Sequence, residues 1–168
     1  MDHLAHALEQ RPVIAGTIST VSAIPSLSIL HVDDDPKDHA LFKAAGVEAK
    51  VPISWQHINS AQGAISYLQR LPKAASAAAW PHLVLLDVAM PGGSGLKVLE
   101  FTCSKSEFQK LPIIVFSGSK DPKVTARAGK LGAKSVLAKP SDFAEAVQLI
   151  ASLYRLFSLS AQRLAPVR

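Results

Sequence analysis

The chain has 168 residues, 48% of them hydrophobic, which suits one domain with a continuous core and excludes wholesale disorder. A single cysteine, Cys103, excludes an intramolecular disulfide and every multi-cysteine zinc pattern. No apolar run is long enough to span a bilayer and no secretory signal is evident, so we expect a cytoplasmic location. The net charge of +5 would suit an acidic partner, but no groove-reading motif accompanies it, and direct DNA binding is not predicted.

The chain opens with residues 1–26, rich in Ser, Thr and Ala, which we interpret as a flexible or loosely docked extension. A partner-binding arm and an upstream start artefact are the alternatives. The apolar run 27–32 predicts a strand that ends on three acidic residues. Asp35 then suits a helix N-cap and Pro36 the first helical position, so a helix is expected towards Gly46.

The next two elements have equally clear ends. Residues 51–58 alternate apolar and polar side chains as a half-buried strand does, and Pro52 within them favours a sheet edge. Ser60 can cap a helix through about Leu71, which Pro72 stops. The Ala-rich connector over 72–81 is long for such a fold and could form a short extra helical turn.

The second half repeats the alternation of strand and helix. Strands are predicted over 82–87, 111–116 and 135–138, and helices from Gly95, from Asp121-Pro122 to about Gly132, and from about Ser141. Cys103 shares a helical face with Leu96 and Leu99, so a buried structural thiol is favoured over a nucleophile. The last helix carries one amphipathic stripe, with a fraying tail after it. The stripe comprises Phe143, Val147, Ile150, Tyr154 and Phe157.

Five strands alternating with five helices predict a parallel sheet covered on both faces by right-handed crossovers. The edge-like second strand favours the order 2-1-3-4-5, which is the flavodoxin-like, doubly wound (βα)5 arrangement. All strand carboxyl ends then lie along one edge of the sheet. Polar side chains that are distant in sequence converge there: Asp33, Asp34, Asp87, Ser117 and Lys139.

Several carboxylates in one shallow crevice repel one another unless a cation intervenes, and Mg²⁺ prefers such oxygen ligands. A bound ion would neutralise an incoming phosphoryl group and leave Asp87 able to attack it as a nucleophile. Lys139 could pair with the resulting phosphate, and the Ser117 hydroxyl could donate a hydrogen bond to it. The residues therefore predict an aspartyl-phosphate site.

From Ser28 to about Phe157 the chain resembles the receiver domain of two-component response regulators. The motifs that carry the resemblance are VDDDP at 32–36, LLDVAMPGGSG at 85–95, VFSGS at 115–119 and AKP at 138–140. Asp87 and Ser117 are 30 residues apart (117 − 87), and Ser117 and Lys139 are 22 apart (139 − 117), as in typical receivers. The longer segment around 72–81 is most similar to stand-alone receivers that serve phytochrome-type histidine kinases.

The resemblance implies a role for each matching residue. Asp87 would be the phosphoacceptor and also part of the metal site, with Asp34 as a direct Mg²⁺ ligand and Asp33 as a supporting acid. Ala89 would lend its backbone carbonyl to the metal, Ser117 would be the switch hydroxyl and Lys139 the phosphate-contacting lysine. The receiver is expected over 27–157, with a C-terminal tail at 158–168 and no output domain.

The leading hypothesis is a phosphoacceptor signalling protein and not an enzyme, although receivers of this kind can dephosphorylate themselves. A histidine kinase or phosphotransfer protein would supply the phosphoryl group, and the surface of helix 4, strand 5 and helix 5 would then bind a partner or a second copy. One alternative is a Mg²⁺-dependent phosphohydrolase, which usually has a second Asp where this chain has Ala89. The other is a degenerate receiver that acts only as an interaction module.

The sequence departs from many receivers at Val136, where an aromatic residue commonly accompanies the switch hydroxyl. The remaining conspicuous residues have ordinary structural interpretations. We interpret the strand histidines (His31, His57 and His82) as structural residues without ligand spacing. Trp55 and Trp80 are interpreted as packing residues. A cationic face on the fourth helix is interpreted as solvated or as a surface for an acidic partner, and it comprises Lys123, Arg127 and Lys130.

Overall fold

The computed structural model describes residues 26–72, 80–91, 95–118 and 122–164, with the side chains of Ser117 and 161–164 excepted. The extension at 1–25, most of the Ala-rich connector, Asp121 and the end of the tail therefore lie outside the described residues. The strands are β1 (Leu27–Val32), β2 (Ile53–Ile58), β3 (Leu83–Asp87), β4 (Ile113–Ser117) and β5 (Ser135–Ala138). The α-helices are α1 (Pro36–Glu48), α2 (Ala61–Gln69), α3 (Leu96–Cys103), α4 (Pro122–Lys130) and α5 (Phe143–Leu164).

The five strands form one parallel sheet in the order β2-β1-β3-β4-β5, which confirms the flavodoxin-like prediction. Pro52 precedes β2, and β2 is an edge strand as predicted. The predicted N-caps are also present. The Asp35 carboxylate accepts a hydrogen bond from the Lys37 amide at 2.8 Å, and the Ser60 hydroxyl accepts one from the Gly63 amide at 3.2 Å. These side chains satisfy amide groups that the first helical turn leaves without partners.

Side chains of alternate strand residues pack into two separate hydrophobic clusters, one on each face of the sheet. Leu30 and Val32 of β1 join the cluster beneath α2 and α3. Leu27 and Ile29 join the cluster beneath α1 and α5. The strands β1 and β3 are central in the sheet and buried on both faces. Their sequences are therefore nearly continuous apolar runs, as is usual for strands of parallel sheets.

Two predictions about side-chain burial are wrong. Cys103 is exposed, because the buried stripe of α3 is centred on Val98, Leu99 and Thr102 and the cysteine is the last residue of the helix. Phe143 opens α5 with 43% of its surface exposed, because the stripe that meets the sheet begins one turn later. Ala146, Ile150 and Leu153 form its buried centre, and Val147, Tyr154 and Phe157 flank it.

The helix α5 continues to Leu164, past Phe157, the residue after which a fraying tail is predicted. Among the described residues, no helix combines the length and apolar character that crossing a membrane requires.

Candidate functional site

Three carboxylates meet at the carboxyl edge of the sheet. Asp33 and Asp34 directly follow β1, and Asp87 is the last residue of the adjacent strand β3. One carboxylate oxygen from each lies within 4.8 Å of the others. Asp33 is fully buried and Asp87 is 4% exposed, whereas Asp34 faces solvent. This grouping matches the convergence that the parallel topology predicts, and it presents oxygen atoms of the type that a hard cation prefers.

Lys139 follows the edge strand β5, and its side chain reaches across the end of β4 to these acids. Its Nζ lies 2.8 Å from Oδ2 of Asp87 and 2.9 Å from Oδ2 of Asp33. A third contact, of 2.6 Å, joins Nζ to Oδ2 of Asp38 in the first turn of α1. One ammonium therefore contacts three carboxylates, and its single positive charge is too small to neutralise them all.

Asp38 is the residue of this site that sequence reasoning does not single out. Its position in the first turn of α1 is explained by the preference of helix N-termini for acidic side chains. The available signal was its place in the first helical turn, two residues after Pro36 and close in sequence to the acids that follow β1.

Backbone amides fix the orientation of the two buried carboxylates. Oδ1 of Asp33 accepts a hydrogen bond from the Asp35 amide at 2.9 Å. Oδ1 of Asp87 accepts one from the Ala89 amide at 2.8 Å. Each acid therefore uses one oxygen in a tight turn and directs the other at Lys139, which orders the site without any bound ligand.

The loop after β3 returns so close to the strand that only glycine fits at Gly95. A Cβ atom there would collide with the carbonyl oxygen of Asp87 and crowd Val88. The Gly95 amide donates to the Val88 carbonyl at 3.3 Å, and α3 begins at the next residue. This close approach holds the end of β3, and with it Asp87, against the start of α3.

The charges of the network shift the pKa values of its members. Burial alone would raise the pKa of Asp33, but the His31 ring, the Asp35 amide and Lys139 outweigh it and lower the pKa from 3.8 to about 2. Burial alone would likewise lower the pKa of Lys139, but its three carboxylate partners raise it well above the usual range. Both groups are therefore charged at neutral pH.

Ser117 is the last residue of β4 and pairs in register with Ala138, next to Lys139. Its neighbour Phe116 pairs with Asp87. The backbone of Ser117 therefore lies at the predicted edge of the sheet, while its side chain lies outside the described part of the structure.

The other singled-out residues separate into three groups. His82 Nδ1 accepts from the Ser28 amide at 2.9 Å, and Trp80 Nε1 donates to the Pro72 carbonyl at 3.0 Å, which fits their structural interpretation. On the cationic face of α4, Arg127 forms an exposed salt bridge with Glu100 of α3. His31 and His57, predicted to be separate structural residues, instead cluster with His39.

The fold and the site together define a doubly wound α/β protein with an acidic, lysine-bridged crevice at the carboxyl edge of its sheet. A family model described as the response regulator receiver domain matches residues 29–151. The chain therefore belongs to the response regulator receiver family, as its motifs predict. Receivers are the phosphorylation-based signalling domains of two-component systems.

Curated relatives match over shorter stretches. The phosphate regulon transcriptional regulatory protein PhoB of Escherichia coli is 29% identical over 79 residues, which cover 47% of this chain and 34% of PhoB. The Regulator of RpoS of Escherichia coli is 37% identical over 60 residues, or 36% of this chain and 17% of that protein. These matches thus span about a third or less of the relatives' own length.

Among solved structures, the phosphorylated cyanobacterial phytochrome response regulator RcpA has a TM-score of 0.69 at 24% identity, covering 82% of this chain and 96% of RcpA. Response regulator RPA3017, in red light signaling of R. palustris, has a TM-score of 0.68 at 24% identity, covering 77% of this chain and 92% of its own. At these identities the likeness establishes the shared fold.

Proposed function

We propose that the chain accepts a phosphoryl group on Asp87 from a phosphohistidine of a histidine kinase or phosphotransfer protein. The observation that carries the proposal is the position of the Asp87 carboxylate, buried at the end of β3, with Oδ2 at 2.8 Å from Lys139 Nζ. A carboxylate oxygen of Asp87 would attack phosphorus, the phosphorus–nitrogen bond of the donor would break, and the donor imidazole would leave with a proton. The product is an acyl phosphate.

The carboxylates fit a Mg²⁺ ion, because Asp33, Asp34 and Asp87 supply oxygen atoms within 4.8 Å of one another. Asp34 would bind the ion directly, Asp33 would support it, and the Ala89 carbonyl would complete the protein ligands. When bound, the ion would neutralise charge on the transferring phosphoryl group.

Lys139 and Ser117 would move when Asp87 is phosphorylated, and their movement would change the protein surface. Phosphorylation adds negative charge and acceptor oxygens at Asp87, so Lys139 would exchange carboxylate contacts for phosphate contacts. The Ser117 hydroxyl would donate a hydrogen bond to a phosphate oxygen. Movement of these residues, at the ends of β4 and β5, would repack the surface of α4, β5 and α5 against a protein partner or a second copy.

Membership of the receiver family favours a histidine kinase or phosphotransfer protein as the phosphodonor, and the similar solved structures suggest which type of kinase to test first. RcpA is a phytochrome response regulator and RPA3017 belongs to red light signaling. A phytochrome-type histidine kinase is therefore the first donor to test, with residues 27–157 as the proposed receiver unit.

The test is phosphorylation of the full chain by a small-molecule phosphodonor, followed by intact mass. The wild type should gain one phosphoryl group in Mg²⁺ and none in excess EDTA, and Asp87→Asn should gain none. Asp35→Asn is the matched control, because it removes a neighbouring charge while asparagine still caps α1. Phosphorylation that persists in Asp87→Asn, or its absence from the wild type, would overturn the proposal.

A further inference from the structure

Three histidines from separate elements meet on the face of the sheet that α1 covers. His31 of β1 and His57 of β2 are register partners, so their side chains leave the sheet side by side. His39, on the first turn of α1, lies over them, and its ring stacks on that of His57 with centroids 4.0 Å apart. One ring nitrogen from each histidine lies within 4.8 Å of the others.

Four of the six ring nitrogens of this trio are buried without a hydrogen-bond partner in the described part of the chain. His31 has none of its surface exposed, and both of its ring nitrogens are without a hydrogen-bond partner among the described residues. The buried Nδ1 atoms of His39 and His57 are in the same condition within that part of the chain. The Oδ2 atom of Asp33 lies 3.7 Å from His31 Nε2, close enough for electrostatic attraction but beyond hydrogen-bond distance. Leaving such buried atoms unpaired destabilises the fold.

We propose that His31, His39 and His57 form a binding site for a borderline divalent transition metal of the Zn²⁺ class, distinct from the acidic crevice. Neutral imidazole nitrogens suit Zn²⁺, Co²⁺ and Ni²⁺, whereas Mg²⁺ selects the carboxylate oxygens of the crevice. Tetrahedral coordination at about 2.0 to 2.1 Å requires nitrogens about 3.4 Å apart. Because imidazole lone pairs lie in the ring plane, His39 or His57 would turn out of the present stack to bind the ion.

The surroundings of His39 and His57 favour neutral rings, whose nitrogen lone pairs can bind a metal. Burial lowers the pKa of His39, and the neighbouring histidines and Lys43 lower it further. Burial also lowers the pKa of His57, together with His31, while Asp33 opposes the shift. Phe42 and Trp55 pack around His31, with ring centroids 5.1 and 6.1 Å away, and limit access of water.

A metal at the trio would join α1 to β1 and β2. Since α1 also carries Asp38, which contacts Lys139, the metal would hold one wall of the acidic crevice in place. The site would therefore stabilise the fold, and no chemical step is assigned to it.

The test uses Co²⁺ as a spectroscopic probe and Zn²⁺ as its competitor. The full chain with His3→Gln and His6→Gln is the starting protein, because those histidines could bind metal by themselves. In excess Mg²⁺, which would occupy the acidic crevice, it should bind one Co²⁺ with visible ligand-field bands that Zn²⁺ abolishes. His39→Gln and His57→Gln, made singly, should each weaken binding by more than about tenfold, since loss of a ligand exceeds the effect of losing an outer-shell partner.

Two controls locate the bound ion. Asp87→Asn should leave Co²⁺ affinity unchanged, which would show that the ion is not bound in the acidic crevice. His82→Gln, which removes a histidine outside the trio, should also leave the affinity unchanged. Thermal unfolding with and without Zn²⁺ checks that the variants fold, and Zn²⁺ should raise the midpoint of the starting protein but not of His39→Gln. The proposal would be overturned if the starting protein did not bind Co²⁺, if both trio variants bound it as tightly as the starting protein, or if Asp87→Asn lost binding.

Discussion

The closest contact of Lys139 is with Asp38, whose Oδ2 lies 2.6 Å from Nζ. This pair joins the residue after β5 to the first turn of α1, across the crevice that holds Asp87. Asp38 would therefore compete with the proposed phosphoryl group for the same ammonium, and its carboxylate lies beside the position that a phosphate would occupy.

Neutralising Asp38 should strengthen binding of a phosphoryl mimic. In Asp38→Asn we expect beryllofluoride, in the presence of Mg²⁺, to bind about two- to fivefold more tightly, because a partly exposed ion pair is worth about 0.5 to 1 kcal/mol. Titration followed by amide NMR measures the affinity. Asp142→Asn removes the same charge while keeping the cap of α5, and it should have no effect. Equal or weaker binding in Asp38→Asn would contradict the competition.

Removing Lys139 should make folding depend on a cation. Lys139→Ala leaves three carboxylates without their counter-charge, and we expect it to lower the free energy of unfolding by about 2 to 3 kcal/mol in EDTA. Mg²⁺ should recover much of this loss, since the ion would replace the ammonium. Urea unfolding in EDTA and in Mg²⁺ measures both values, with the exposed Lys134→Ala as control. A loss of the same size in both buffers would show that the cation does not replace Lys139.

Asp33 should stabilise the fold in a pH-dependent manner. Its pKa is lowered from 3.8 to about 2 in the folded state, so its stabilisation is present above about pH 4 and is lost as the pH falls to about 2. The contribution is on the order of 2 kcal/mol.

Chemical unfolding in EDTA between pH 2 and pH 6 tests this dependence. The difference in unfolding free energy between the wild type and Asp33→Asn should shrink as the pH falls through this window. Glu48→Gln, at the exposed end of α1, should show no such trend. A difference independent of pH would mean that the Asp33 carboxylate has an ordinary pKa.

The close approach at Gly95 should make that position intolerant of any side chain. We expect Gly95→Ala to destabilise the protein by about 2 to 3 kcal/mol, because the methyl group would collide with the backbone of Asp87 and Val88. It should also slow phosphorylation, since the end of β3 would have to move.

Gly129→Ala is the matched control for this substitution. Gly129 lies within α4 with open space around its Cα, so alanine should stabilise that helix by about 0.5 to 1 kcal/mol. Thermal unfolding compares the two variants. A Gly95→Ala protein as stable as the wild type would show that the loop relaxes freely.

The sequence by itself determines the order of elements and the principal residues of the crevice. Apolar runs, the Asp35 and Ser60 caps and the edge proline Pro52 predict the strands and helices. The rule that parallel strands share a carboxyl edge then brings Asp33, Asp87 and Lys139 together. These features are local or depend only on the order of the strands, so they can be predicted from the sequence alone.

Only the tertiary structure decided which side chains meet across elements. Periodicity indicates the buried side of a helix approximately, but not its rotation against the sheet, which is why Cys103 proved exposed and Phe143 lies outside the buried stripe. The contact of Asp38 with Lys139 and the clustering of His39 over His31 and His57 depend on how α1 packs against β1 and β2. No spacing along the chain encodes that packing, because it is fixed by the volumes of side chains from distant elements.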